Sequence, residues 1–129
     1  MATLFTRIIN GELPAHKVAE TKDFLAFLDI RPLAEGHTLC IPKKEVDWLY
    51  DLDDETYIGL NLFAKSVART LHKVFPGKRI ATAVVGIEVS HAHIHLVPIT
   101  AIADLNFANA TGADDARLAE LAQKIRLAL

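Results

Sequence analysis

An α+β domain built on an antiparallel sheet of about five strands is the fold class that this sequence predicts. Three observations lead there. Short apolar runs bounded by turn residues recur in the first forty positions and again between residues 79 and 98. One long stretch between them, 53–75, repeats its apolar residues at helical spacing. A second helical stretch closes the chain, so helices and strands are segregated rather than strictly alternating.

Thr3 to Asn10, stopped by Gly11, reads as a short opening helix with Phe5, Ile8 and Ile9 on one face. His16–Glu20 and Asp23–Ile30 read as strands of a hairpin turning at Thr21-Lys22-Asp23. His37–Ile41 is a third strand, ended by Pro42. Leu60, Phe63, Ala64, Val67, Leu71 and Val74 line one face of the helix expected over 53–75, with Asp53, Asp54 and Glu55 where the helix dipole favours acids. Arg79–Val85 and Val89–Pro98 are the last two strands. A final helix from about Asp114 carries Leu118, Leu121, Ala122, Ile125 and Leu129 on one side, and 100–113 reads as a surface loop.

At 129 residues the chain is read as a single domain, 1–129. Its net charge of −2 argues against nucleic acid as a partner, since that affinity rests on many cationic contacts to phosphates. No apolar run is long enough for a membrane helix and no secretory leader is visible, so a cytoplasmic protein without membrane contact is expected. Cys40 is the single cysteine, it lies in the apolar run Thr38-Leu39-Cys40-Ile41, and it reads as a buried structural residue.

Six histidines occur, and three of them fall in His91-Ala92-His93-Ile94-His95. Strand alternation would send the three imidazoles to one face and Ala92, Ile94 and Leu96 to the core. Packing alone does not favour such a cluster, because every buried ring nitrogen needs a partner. Two chemistries could use it. Imidazoles can ligate zinc with a position left open for water, or a neutral imidazole can attack phosphorus while its neighbours donate to the phosphate oxygens. The nearest acid, Glu88, is an odd number of residues from each histidine and would face away on a regular strand, which leans towards the metal-free reading.

The run His91-Ala92-His93-Ile94-His95-Leu96-Val97 resembles the defining motif of the histidine triad (HIT) family. So do Leu4 to Ala15 for the family's opening helix, Phe24 to Pro32 for its nucleoside-binding strand, and Gly36 to Lys43 for the strand bearing a fourth histidine. The resemblance implies a HIT-like fold and a Hint-like nucleotide hydrolase or transferase acting on purine nucleotides. By it, His93 is the nucleophile at the α-phosphorus, His95 the phosphate donor, His91 the support of the nucleophile, and His37 the histidine behind the triad. Asp29 holds ribose hydroxyls, with Leu4, Phe5, Phe27 and Ile30 around the base. No cofactor or metal is implied, and a homodimer is.

Two departures stand out. Where most members carry Gly-Gln-Ser or Gly-Gln-Thr ahead of the triad, this chain reads Gly86-Ile87-Glu88-Val89-Ser90, so Glu88 and Ser90 become the candidates for contact with the phosphates. The Cys-x-x-Cys zinc pattern of some members is missing, with Leu4-Phe5-Thr6-Arg7 in that region. The residues leave a weakly catalytic nucleotide-binding protein and a three-histidine metal hydrolase as alternatives. His16 and His72 match no motif and read as surface residues.

Overall fold

A computed structural model describes residues 2–129. Its elements are α1 (Leu4–Ile9), β1 (Lys17–Glu20), β2 (Phe24–Leu28), β3 (Thr38–Pro42), α2 (Asp54–Val74), β4 (Arg79–Ala83), β5 (Ile94–Ile99) and α3 (Asp115–Leu127), with three short 3-10 turns between them. The sheet order is β1-β2-β3-β5-β4 and every pairing is antiparallel.

Two apolar clusters cover opposite faces of this sheet. Ala26, Leu28, Cys40, Ile94 and Leu96 meet Leu60, Val67 and Leu71 of α2 and Leu118, Leu121 and Ile125 of α3. Leu25, Phe27, Leu39 and Ile41 point the other way, under Phe5 and Ile8 of α1. Covering both faces explains why β2 and β3 are apolar almost throughout instead of alternating. Cys40 is buried as expected. Asp53 caps α2 by accepting from Thr56 N–H at 3.1 Å.

Several boundaries differ from the sequence reading. β4 ends at Ala83, not Val85, and β5 begins at Ile94, not Val89. The cause lies in β3. In the register that pairs Leu39 with His95 and Cys40 with Ile94, Ala92 would come opposite Pro42, which has no N–H to offer. The ladder stops there, and Ala92 N–H turns to Val46 C=O at 2.7 Å. In α3, Leu129 lies beyond the helix and is 64% exposed, so it leaves the apolar stripe. The segment 100–113 contains two 3-10 turns, Ile102–Asp104 and Phe107–Asn109, and is stitched down. Asp104 accepts from Thr100 and Ala101, Arg31 donates to Ala110 C=O at 3.0 Å, and Ala113 N–H to Ile30 C=O at 3.1 Å.

Candidate active site

The face of the sheet beneath α1 carries the histidines. His95 is the only triad member on a regular strand; it sits opposite Leu39 on one side and Ala83 on the other. His91 and His93 precede β5, yet their alternation survives. Ala92 and Ile94 are buried in the core below α2, while the three imidazoles lie on the α1 side and are themselves buried. The ring centroids of His93 and His95 are 4.9 Å apart. Phe5 approaches His93 edge-on at 5.1 Å, His91 at 5.7 Å and Phe27 at 5.4 Å, so α1 holds the patch from above.

Hydrogen bonds to the backbone decide which nitrogen of each ring carries the proton, because a main-chain N–H only donates and a carbonyl only accepts. Leu33 N–H donates to His37 Nδ1 at 3.0 Å, so the proton of neutral His37 is on Nε2. From there it is given to His95 Nδ1, 3.0 Å away, which leaves the proton of His95 on Nε2. His93 Nδ1–H donates to His91 C=O at 2.6 Å, so His93 Nε2 holds a free lone pair. His91 Nε2–H donates to Pro42 C=O at 2.8 Å. The site thus presents one bare nitrogen, on His93, beside one N–H donor, on His95. Neither of these two atoms is sealed away without a partner, since no such buried polar atom occurs among the described residues.

Burial favours the neutral form of His95, His37 and His91. It pushes His95 down to about 3, helped by the neighbouring His93 and His37. His37 is lowered by burial against the opposing pull of Asp29. His91 is lowered by burial despite the hydrogen bond to Pro42 and the nearby Glu45 carboxylate.

Asp29 follows β2, with its Oδ2 3.7 Å from His37 Nε2, and its Oδ1 accepts from Arg31 N–H at 2.9 Å. Asp29, His37 and His95 could each offer a ligand atom, all within 4.8 Å of one another. That set does not suit a cation as it stands. A metal on His37 Nε2 would displace the proton that Leu33 N–H forces onto that nitrogen. The three triad histidines do not converge as a ligand set either, because His91 spends both ring nitrogens on hydrogen bonds.

The structure therefore brings together His37, His91, His93, His95, Asp29, Phe5 and Phe27. Phe5 and Phe27 are buried core residues, whereas Leu4 is 49% and Ile30 65% exposed, so these four do not form one closed slot. Glu88 and Ser90 stand on the exposed loop 84–90, where Gly86 takes a left-handed turn (φ 73°) and Ile87 is 84% exposed. That loop is not a strand, so the parity that turned Glu88 away from the histidines does not apply. His72 is exposed as expected, but His16 is largely covered and pairs with Asp115 at the start of α3 at 2.7 Å.

Sequence reasoning missed Phe107, whose ring lies edge-on to His95 at 4.8 Å and to His37 at 6.1 Å. A lone aromatic in an irregular loop gives no period to read. It also missed Thr3, Thr6 and Glu45 beside His91; a Thr ahead of the first apolar turn signals a helix cap, and nothing signals Glu45.

The model of the HIT domain matches residues 10–101. The adenosine 5′-monophosphoramidase of Saccharomyces cerevisiae is 40% identical over 102 residues, which span 75% of this chain and 62% of that protein. An uncharacterised HIT-like protein of Methanocaldococcus jannaschii is 39% identical over 99 residues, 74% of this chain and 77% of that one. Among solved structures, a HIT-like protein from Bartonella henselae superposes with a TM-score of 0.87 at 33% identity, covering 98% of this chain and 96% of its own. A zinc-bound histidine triad family protein from Mycobacterium smegmatis gives 0.84 at 31%, covering 99% and 93%. With the triad, the five-stranded sheet and these matches in agreement, the chain belongs to the HIT family.

Proposed function

We propose that this protein is a nucleotide hydrolase or transferase that cleaves a phosphoramidate or phosphoanhydride bond at the α-phosphate of a purine nucleotide. The observation that carries this reading is the pairing of a bare nitrogen, His93 Nε2, with a fixed N–H donor, His95 Nε2. The lone pair of His93 forms a bond to phosphorus while the bond to the leaving group breaks, and the leaving atom takes its proton from water. His95 donates to a non-bridging oxygen, where negative charge builds. Water then attacks phosphorus, the N–P bond breaks back to His93, and nucleoside monophosphate departs. No metal enters this sequence.

His37 acts behind His95 by dictating where its proton sits. Asp29 offers its carboxylate to ribose hydroxyls, with the exposed Leu4 and Ile30 as apolar surface for the base and the buried Phe5 and Phe27 as its support. Glu88 and Ser90, on the exposed loop, face the outgoing group. A homodimer is part of the reading. β4 is an edge strand, and Ile58 and Leu62 of α2 with Val84 and Val85 after β4 are exposed apolar side chains that a second copy would cover. A solution mass of one 14.2 kDa chain at micromolar concentration would remove the dimer from the account.

The substrate test follows from the phosphoramidase named among the relatives. Incubation with an adenosine phosphoramidate is expected to release adenosine monophosphate. Tight binding of the monophosphate with no turnover would instead make this a binding protein, the alternative that Ile87 and Glu88 in place of the usual loop residues motivate.

A further inference from the structure

Three side chains that take no part in the proposed chemistry converge on His91. Thr3 is the N-cap of α1, and its Oγ1 accepts from Thr6 N–H at 3.1 Å. The same oxygen lies 2.9 Å from His91 Nδ1. Because His91 Nε2–H is committed to Pro42 C=O at 2.8 Å, Nδ1 of the neutral ring carries the lone pair, and the Thr3 hydroxyl, 3.2 Å from Thr6 Oγ1, donates to the nearer His91 Nδ1. One hydroxyl thus closes a helix and satisfies a ring.

Glu45, on the segment that follows β3, holds the threonines in place. One of its oxygens accepts from Thr3 N–H at 2.8 Å and from Thr6 Oγ1–H at 2.6 Å. The second bond occupies the Thr6 proton, so Thr6, 3.4 Å from His91 Nδ1, has none left for the ring. The carboxylate is kept one hydroxyl away from the imidazole. A carboxylate in direct contact would draw a proton onto Nδ1, whereas an interposed hydroxyl donor favours the bare nitrogen. Glu45 and His93 are the titratable groups that act on His91.

We infer that Thr3, clamped by Glu45 and Thr6, is a positioning residue for the nucleophile: it fixes His91 as the neutral Nε2–H form and holds its backbone carbonyl where His93 Nδ1–H needs it. The chain of contacts is continuous, from Glu45 through Thr3 to His91, and from His91 C=O to His93 at 2.6 Å. It also joins α1, which carries Phe5 against His93, to the residues that aim His93. The catalytic part of this inference rests on the reading of His93 as nucleophile; the tautomer of His91 does not.

Two substitutions separate a cap from a positioning device. Thr3→Ser keeps both the cap acceptor and the donor. Thr3→Asp keeps a good cap, but an ionised Asp only accepts, so His91 Nδ1 must gain a proton to be satisfied. The measurement is the long-range proton–nitrogen correlation of His91 in 15N-histidine-labelled protein across a pH series, with kcat and KM on adenosine phosphoramidate.

Wild type and T3S are expected to show His91 neutral with its proton on Nε2 around neutral pH. T3D should show a protonated Nδ1, and its kcat should fall about 10-fold or more through misaligned attack, with KM within about twofold. T3S should restore turnover. A T3D protein whose His91 signals match wild type overturns the donor assignment, and a protonated His91 Nδ1 with unchanged kcat overturns the positioning role. Absence of turnover in wild type would sink the substrate reading alone, leaving the His91 signals to decide the rest.

Discussion

At the scale of single residues, backbone groups choose the tautomers of the histidines. Leu33 N–H, Pro42 C=O and His91 C=O each force one ring into one protonation pattern, and the free nitrogens of His93 and His95 are what remain. His37 carries the most leverage. His37→Leu fills similar space but strands Leu33 N–H and lets the His95 proton move to either nitrogen. Turnover should fall at least about 10-fold through the lost alignment, and the unmet N–H should cost about 1–3 kcal/mol of stability. Urea denaturation beside steady-state kinetics checks both, and unchanged values for the pair would remove His37 from the machinery.

Elements set those residues in place, and here the sequence was legible to different depths. The triad's alternation told correctly which side each residue takes, because Ala92 and Ile94 have only the core to go to. It misled about the strand, because the pairing partner across the sheet is Pro42, and a local pattern cannot show what stands opposite. Asp29 and His37 were found through resemblance; their approach to 3.7 Å depends on the turn between β2 and β3. That turn contains Gly36, whose φ of +91° and whose missing Cβ, which would lie 2.4 Å from the Phe75 ring, demand glycine. Gly36→Ala should destabilise the fold by about 1–3 kcal/mol. It should also depress activity beyond the stability loss, because the next residue is His37. Thermal melting and kcat/KM at a temperature well below the transition read the two effects apart. A variant with wild-type melting and activity would show that the turn tolerates a side chain.

Over the whole molecule, the buried histidines make stability depend on pH. The folded values of His95, His37 and His91 all lie below the ordinary 6.5, that of His95 at about 3. Between 6.5 and those folded values the unfolded chain binds more protons, so stability is full above pH 6.5 and is lost as pH falls. Each such histidine contributes a slope of up to about 1.4 kcal/mol per pH unit within its window. The unfolding free energy should therefore begin to drop below about pH 6.5, ahead of ordinary carboxylate titration. Replacing His95 by Gln should flatten that drop. A profile level from pH 7 to about 5 would contradict the neutral, buried state assigned to these rings.

The central claim is that His93 attacks phosphorus, and a trapped intermediate tests it most directly. Protein mixed with adenosine phosphoramidate and quenched in acid should gain the mass of one adenylyl group, and peptide mass spectrometry should place it on His93. His93→Ala should carry no adduct and should turn over no substrate while keeping the melting temperature of the parent. Active wild-type protein that never carries the group on His93, or a His93→Ala protein that retains full turnover, would contradict the account.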